Sequence, residues 1–258
     1  MSKIVVCHCN RPNFLEIQLQ SYFKTCEDLE EIIVVNDGSS LSLRNEIKNK
    51  TITRKNVRLI DAPYDLDHSS PPFACSSVLQ WIYDLLLMED EKSKVAFLDS
   101  DMFPLKKFSI ENFLQEKSIA GLKQIRGNVD YIWNGIVMID FNKIQHPHAI
   151  DWNCGVINCY NVDCGGQFFN YFEKYGRDDV RYLTHTSHMS IDQINSLSSC
   201  PGEVAQKYDV SYKMEVFEDT FLHYGRASNW ETSWLSPIDF NKSKTDYTVY
   251  WLQKNGVL

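Results

Sequence analysis

The sequence lacks any long hydrophobic run. No stretch of its 258 residues reaches the length of a membrane span, and the first apolar run, Ile4 to Cys7, is shorter than the core of a signal peptide. We therefore expect a cytoplasmic protein with no transmembrane segment. The eight cysteines include no Cys-x-x-Cys pair, which argues against structural zinc, and the cytoplasm would keep them as reduced thiols.

Positive charge is also scarce. The chain has 26 basic against 34 acidic residues and a net charge of -8, which gives no general attraction to nucleic acid or to anionic lipid. It has no linker rich in proline, glycine or serine, no internal repeat and no low-complexity tract. The composition is that of an ordinary globular protein, and we expect a single domain over 1–258.

Short β-rich runs alternate with helical patterns in the first part of the chain. The runs lie at Ile4 to Cys7, Ile32 to Val35, Val57 to Ile60 and Val95 to Leu98, and the longest helical pattern is Phe73 to Met88. Such alternation predicts right-handed βαβ units and an α/β fold around a mostly parallel sheet. The pattern changes to shorter runs with aromatic residues after the last of these strands, and we expect that half to shape a substrate pocket.

The Val95 to Leu98 run ends in Asp99-Ser100-Asp101. Ligands of open α/β folds bind at the carboxyl ends of the parallel strands, which is where these two acids would lie. Two carboxylates so close together repel each other unless a cation or a shared proton intervenes, and oxygen ligands suit Mg²⁺ or Mn²⁺. The motif therefore predicts a metal site, although a strand followed by a solvated turn has the same residue types.

Three polar groups follow the first, second and fourth predicted strands: Asn10-Arg11-Pro12, Asn36-Asp37-Gly38-Ser39-Ser40 and Asp99-Ser100-Asp101. Their order and spacing resemble the nucleotide-sugar-binding half of GT-A fold glycosyltransferases, most closely those of family 2. Later in the chain, the segment beginning Trp133-Asn134-Gly135 and the segment His223-Tyr224-Gly225 resemble family 8 enzymes. The resemblance implies a three-layer α/β/α sandwich with a donor half (1–101), an acceptor half (102–216) and a closing segment (217–258).

The same resemblance implies a donor that is a nucleotide diphosphate sugar, expected to be UDP-linked, and an acceptor that is a hydroxyl of a glycan. In such enzymes the acid after the second strand binds the nucleobase, a role that falls to Asp37. Asn10 and Arg11 would border the nucleotide. From the residues alone, Asp37 could instead cap the following helix.

The metal ligands implied by the resemblance come from both ends of the chain. Asp101 would bind the ion directly, and Asp99 would hold the ribose or a metal-bound water, with Ser100 between them in the same cofactor site. His223 would be the third protein ligand, and its imidazole would favour Mn²⁺ over Mg²⁺. From the residues alone, His223 could equally be an ordinary surface or core histidine.

Transfer with inversion of configuration needs a carboxylate that accepts the proton of the acceptor hydroxyl. Asp163 is the first candidate for this base, and Asp151 and Asp192 are the alternatives. Inversion is slightly favoured, but the family 8 resemblance would imply retention instead, with Gln167 near the reacting face of the sugar. The sequence leaves both outcomes open.

The acceptor region is rich in residues that suit a sugar. Trp133 and Trp152 could stack on the apolar face of a sugar ring, although packing in the core is the commoner role of a tryptophan. The glycine pair that contains Gly166 would allow close approach of the backbone. Asn134 and Gly135 complete the expected substrate-binding set.

Two other functions remain compatible with the sequence. An apolar strand ending in Asp-x-Asp also occurs in phosphatases of the haloacid dehalogenase type, in which Asp99 would attack phosphorus and Asp101 would act as acid and base. That motif normally lies on the first strand, whereas here it follows three strands. The other alternative is a sugar-binding module without catalytic activity.

Overall fold

The computed structural model describes residues 2–9, 12–90, 92–188, 215–223 and 248–258. No helix in these ranges is long and apolar enough to cross a membrane. The chain divides into two compact units that alternate along the sequence. The first unit comprises Met1–Pro12, Asp28–Asp99 and Ser109–Leu183, and the second comprises Asn13–Glu27, Ser100–Phe108 and Thr184–Leu258.

The described residues form strands and helices with the following bounds. The strands are β1 (Ser2–His8), β2 (Leu29–Asn36), β3 (Val57–Asp61), β4 (Lys94–Leu98), β5 (Met102–Pro104), β6 (Ile119–Arg126), β7 (Val129–Asp140), β8 (Gly155–Ile157), β9 (Tyr160–Val162), β10 (Val180–Leu183), β11 (His185–His188), β12 (Glu215–Phe217) and β13 (Phe221–His223). The helices are α1 (Pro12–Thr25), α2 (Leu41–Thr51), α3 (Pro71–Glu89), α4 (Ile110–Leu114), α5 (Phe168–Tyr175) and α6 (248–254), with a single 3₁₀ turn at Pro147–Ala149.

The first unit contains a seven-stranded sheet with the order β10-β6-β7-β4-β1-β2-β3. Strands β3, β2, β1 and β4 are parallel to one another, β10 is parallel to β6, and β7 runs antiparallel to β4 and β6. This confirms the predicted α/β fold with a mostly parallel sheet. The four strands predicted before Asp99 are β1 to β4, and the helix predicted at Phe73 to Met88 is α3.

The core of the first unit lies where α3 covers the sheet. Apolar residues at three- and four-residue spacing, Val78, Ile82 and Leu86, form the buried face of this helix, which begins with a proline at its first turn. Burial of each such side chain contributes about 1.5 to 3 kcal/mol. The helix is therefore held by its apolar face, and it supports β4 immediately before the Asp-x-Asp motif.

Trp152 also belongs to this core. Its ring is fully buried, with ring centroids 5.0 Å from Phe97, 5.2 Å from Phe168 and 6.1 Å from Tyr83. A ring with no exposed face cannot stack on a sugar. The structure thus corrects the interpretation of Trp152 as an acceptor platform, because its large apolar surface fills the space between the sheet, α3 and α5.

The second unit contains a four-stranded antiparallel sheet with the order β11-β12-β13-β5. The α1 residues of this unit pack on β5. Phe14 makes an edge-to-face contact with Phe103, with a centroid distance of 5.6 Å, and the side chains of Gln18 and Tyr22 both donate to the carbonyl of Met102, at 3.0 and 2.6 Å. The backbone that follows Asp101 is therefore fixed by buried hydrogen bonds.

Candidate functional site

The site in the first unit lies at the carboxyl ends of the central parallel strands. In register, His8 at the end of β1 lies beside Asn36 at the end of β2, and Val6 lies beside Leu98 at the end of β4. Asp37 and Asp99 follow directly on β2 and β4. The predicted acids thus share one edge of the sheet, the edge where α/β folds bind their ligands.

Cys7 belongs to β1, the strand that lies between β2 and β4 in the sheet. Burial raises its pKa well above the usual value, and the neighbouring thiol of Cys75 and the carboxylates of Asp37 and Asp99 raise it further. A thiol with a raised pKa stays protonated and unreactive. Cys7 is therefore an uncharged neighbour of both Asp37 and Asp99.

Asp37 is almost fully buried, with 7% of its surface exposed. Its N–H donates to the carbonyl of His8, and its Oδ1 lies 3.0 Å from Nε2 of His68 and 4.0 Å from Nη2 of Arg44. Burial raises the pKa of Asp37, against the lowering effect of His68 and Arg44. The alternative that Asp37 caps α2 is wrong, because Ser40 is the cap and its Oγ accepts from the N–H of Leu43.

Arg44 on α2 holds the turn that carries Asp37. Its Nε donates to the carbonyl of Gly38 at 2.9 Å, its Nη1 donates to the carbonyl of Ala62 at 2.8 Å, and its guanidinium lies 3.8 Å from the ring centroid of Tyr64. A Cβ at Gly38 would lie 2.8 Å from the backbone nitrogen of Arg44, so no other residue fits there. The sequence analysis missed Arg44 because it lies in an ordinary helical pattern.

His68 in the loop after β3 was also missed. Its Nδ1 lies 2.8 Å from the carbonyl oxygen of Leu66, and its Nε2 faces the carboxylate of Asp37. The hydrogen bond with Asp37 raises the pKa of His68. No local sequence signal marks this residue, since it meets Asp37 only through the pairing of β3 with β2.

Asp99 is held by β7, the antiparallel neighbour of β4. Its N–H donates to the carbonyl of Gly135 at 3.0 Å. The ring of Trp133 lies so close to Gly135 that a Cβ on Gly135 would be 2.1 Å from the ring. Nδ2 of Asn134 donates to Sγ of Cys75 at 3.4 Å. The structure thus places the predicted substrate-binding residues Trp133, Asn134 and Gly135 on the strand that positions Asp99.

The predicted metal ligands Asp101 and His223 meet in the second unit. Both are nearly buried, at 4% and 5% exposure, and Nε2 of His223 lies 3.4 Å from Oδ1 of Asp101. The contact follows from the pairing of β13 with β5, which sets His223 beside Met102. On the other side of the ring, Nδ1 of His223 lies 3.0 Å from Oε2 of Glu215 on β12. The sequence analysis did not identify Glu215.

Asp163, the first candidate for the base, lies in the loop between β9 and α5 of the first unit. Its Oδ1 accepts from the N–H of Cys164, and its own N–H donates to the hydroxyl oxygen of Tyr131. The pKa of the Cys164 thiol is raised by burial, by the Cys75 thiol and by the carboxylates of Asp99 and Asp163. Cys164 is therefore a neighbour of both Asp99 and Asp163.

The glycine pair after Asp163 is explained by packing. Gly165 has a φ of +83°, and a Cβ on it would lie 2.6 Å from the carbonyl oxygen of Ile132. A Cβ on Gly166 would lie 2.3 Å from the side chain of Val162. Both glycines are thus required for the loop to pack closely within the first unit, which accounts for them without a sugar.

The remaining predicted site residues are less informative. Asp151 is half-buried, and its Oδ1 accepts from the N–H of Asn153 two residues later, as in an ordinary turn. Gln167 is half-buried at the start of α5. Ser100 is half-buried between the two acids. Asn10, Arg11 and Asp192 lie outside the described residues.

No protein-family model and no characterised protein matches the sequence. Among solved structures, the chain is similar to the galactosyltransferase LgtC in complex with donor and acceptor sugar analogues, with 15% identity, 94% of this chain and 95% of that chain covered, and a TM-score of 0.44. The apo form of the glycosyltransferase GlyE of Streptococcus pneumoniae TIGR4 has 15% identity, 99% and 64% coverage, and a TM-score of 0.45. The bifunctional glycosyltransferase WbbM has 13% identity, 86% and 45% coverage, and a TM-score of 0.45. Likenesses at this level establish no shared function.

Proposed function

We propose that this protein is a metal-dependent glycosyltransferase that moves a sugar from a nucleotide diphosphate sugar, UDP-linked, to a hydroxyl of a glycan. The observation that carries the proposal is the pairing of buried Asp101 with buried His223. Asp101 lies two residues after Asp99, which follows β4 at the carboxyl edge of the sheet. Carboxylate oxygen and imidazole nitrogen are both ligands of divalent ions, and here the two atoms lie 3.4 Å apart, so one cation could be shared between them.

The donor set fits such an ion. Asp99, Asp101 and His223 are three possible ligands, and only Ser100 separates the two acids along the chain. Oxygen ligands with one imidazole suit Mn²⁺ better than Mg²⁺. Glu215 holds the far nitrogen of His223, as outer carboxylates do at many metal sites. When bound, the ion would supply positive charge for the diphosphate leaving group.

In this proposal the first unit binds the nucleotide. The carboxylate of Asp37, held by Arg44 and His68, would accept the N–H of the base. Asp99, whose backbone is fixed by Gly135, would hold the ribose or a metal-bound water. A carboxylate acceptor suits a base that has an imide N–H, as uracil does. The carboxylate of Asp37 therefore supports a donor whose base has a ring N–H, and UDP is the donor that we propose.

On the acceptor side, Asp163 is the proposed base that takes the proton of the acceptor hydroxyl, and transfer inverts the configuration of the sugar. The support for this role is that Asp99 and Asp163 both adjoin β7: Gly165 in the loop of Asp163 packs against the carbonyl oxygen of Ile132, and Gly135 of the same strand accepts from the N–H of Asp99. Trp133 is the remaining aromatic candidate for an acceptor platform. If transfer retains the configuration instead, Gln167 would lie near the reacting face of the sugar.

The test is release of nucleoside diphosphate from a panel of nucleotide sugars in the presence of Mn²⁺. We expect slow release from a UDP-sugar, lost on chelation of the metal and in Asp101→Ala, and retained in Asp219→Asn. Asp219 is a suitable control because it is an exposed aspartate in the turn between β12 and β13 of the same unit. Release of phosphate from a monoester would point instead to a phosphatase, and binding of sugar without turnover would point to a silent module.

A further inference from the structure

His68 has an arrangement that a neutral imidazole cannot satisfy. Its Nδ1 faces the carbonyl oxygen of Leu66 at 2.8 Å, and its Nε2 faces Oδ1 of Asp37 at 3.0 Å. Both partners are acceptors while Asp37 is ionised, and a neutral imidazole has only one N–H to donate. Both hydrogen bonds form together only when the ring carries a proton on each nitrogen.

We propose that the imidazolium of His68 is a positioning residue for nucleobase recognition, because it ties the loop after β3 to Asp37 and keeps that carboxylate ionised for the base. This inference rests on the proposed role of Asp37 in binding the donor. It adds a residue and a pH dependence that the role of Asp37 alone does not require.

The charges around His68 favour its protonated form. Asp37 faces it directly, and Asp67 on the same loop is a second anion, whose pKa is lowered by hydrogen bonds from Ser69. The guanidinium of Arg44 on α2 opposes protonation. On balance the pKa of His68 is raised, chiefly through its hydrogen bond with Asp37.

The contacts of Asp37 leave room for a ligand. His68 and Arg44 both approach Oδ1, and within the part of the chain that the structure describes no hydrogen bond falls on Oδ2. A carboxylate oxygen accepts hydrogen bonds through two lone pairs. With Oδ1 held on the protein side, Oδ2 is the atom that would accept the N–H of a base.

The sign of the pH effect follows from the direction of the His68 shift. Below its raised pKa the ring donates to both Leu66 and Asp37, and the loop is held. As the pH rises through that pKa the ring loses a proton, and one nitrogen then presents a lone pair to an acceptor. We therefore expect nucleotide affinity to fall as the pH rises through the pKa of His68.

The experiment is calorimetric titration with UDP and saturating Mn²⁺ from about pH 6 to about pH 8.5, on the wild type and His68→Gln. Glutamine keeps a donor for Asp37 but does not titrate, so the ratio of the two dissociation constants removes the titration of UDP itself. At the acid end the wild type has a charge-assisted hydrogen bond and should bind UDP about tenfold more tightly than His68→Gln. At the alkaline end this bond is lost, and the two proteins should bind UDP equally tightly. A ratio that stays constant over this range would overturn the inference.

Two further variants separate the possible failures. Asp37→Asn tests the base-binding role itself, since unchanged UDP affinity in that variant would remove the proposed role of Asp37. If Asp37→Asn weakens binding while the His68→Gln ratio stays flat, only the role of His68 is wrong. His148→Gln is the matched control, because His148 is an exposed histidine in the 3₁₀ turn far along the chain. It should follow the wild-type pH profile.

Discussion

Glu215 offers a sharp test of the proposed metal site, because it contacts His223, a proposed ligand, without belonging to the predicted donor set. The perturbation is Glu215→Ala, compared with Glu215→Gln. Oε2 of Glu215 lies 3.0 Å from Nδ1 of His223, and Oε1 lies 3.8 Å from Nε2 of His185. In Glu215→Ala the ring of His223 loses the group that fixes its rotation and directs Nε2 toward Asp101.

The expected magnitude follows from the geometry and from outer carboxylates at other metal sites. Removing such a partner lowers metal affinity by about 10- to 100-fold. Glutamine can still accept from Nδ1 through its carbonyl oxygen, but the bond loses its charge, so we expect only about a few-fold weakening in Glu215→Gln. The graded series of wild type, glutamine and alanine distinguishes orientation of His223 from loss of fold.

The assay is direct titration with Mn²⁺, followed by calorimetry or by the electron paramagnetic resonance signal of the free ion. Asp219→Asn is the control, since it removes the charge of an exposed carboxylate of the same unit, tolerates the positive φ of this turn, and should bind Mn²⁺ as the wild type does. Equal affinity in Glu215→Ala and the wild type, together with a large loss in His223→Ala, would refute the positioning role. If His223→Ala also bound Mn²⁺ normally, the imidazole would not be a ligand at all.

Three further predictions concern the first unit. Asp163→Asn should lower the rate of sugar transfer by about 10²- to 10⁴-fold with UDP binding retained, and near-normal transfer would assign the base elsewhere. Trp152→Ala should lower the free energy of unfolding by about 3 to 5 kcal/mol in urea titration, and a small loss of stability would contradict its place in the core. Gly165→Ala should be less stable by at least about 1 to 2 kcal/mol, because φ is +83° and a carbonyl oxygen lies where the Cβ would be; equal urea midpoints for variant and wild type would disprove this.

The strands and helices of the donor half could be predicted because their signals are local. Four apolar residues in succession predict a buried strand, and the spacing of Val78, Ile82 and Leu86 predicts one buried helical face, which is what α3 has. Asp37 and Asp99 could be placed at one sheet edge for the same reason. Each acid directly follows a predicted strand, and parallel strands end on the same side.

The residues that surround those acids could not be predicted, because they arrive through pairing between distant segments. His68 reaches Asp37 through the pairing of β3 with β2, and Glu215 reaches His223 through the pairing of β12 with β13. Trp152, in contrast, was singled out from the sequence but was given the wrong role. Its residue type suits a sugar platform and a core equally well, and only the packing of Phe97 and Phe168 against it decides for the core.

The acids of the candidate site share one physical property, which is that a backbone contact holds the chain beside each of them. The N–H of Asp37 donates to His8 on β1, the N–H of Asp99 donates to Gly135 on β7, and the carbonyl of Met102, next to Asp101, accepts from Gln18 and from Tyr22. A backbone fixed in this way does not have to be ordered when a ligand binds, so less binding free energy is lost to entropy. The same property explains why the short Asp99-Ser100-Asp101 motif can indicate a site. The strands before and beside the motif hold its backbone, and the motif itself has only to supply carboxylate oxygens.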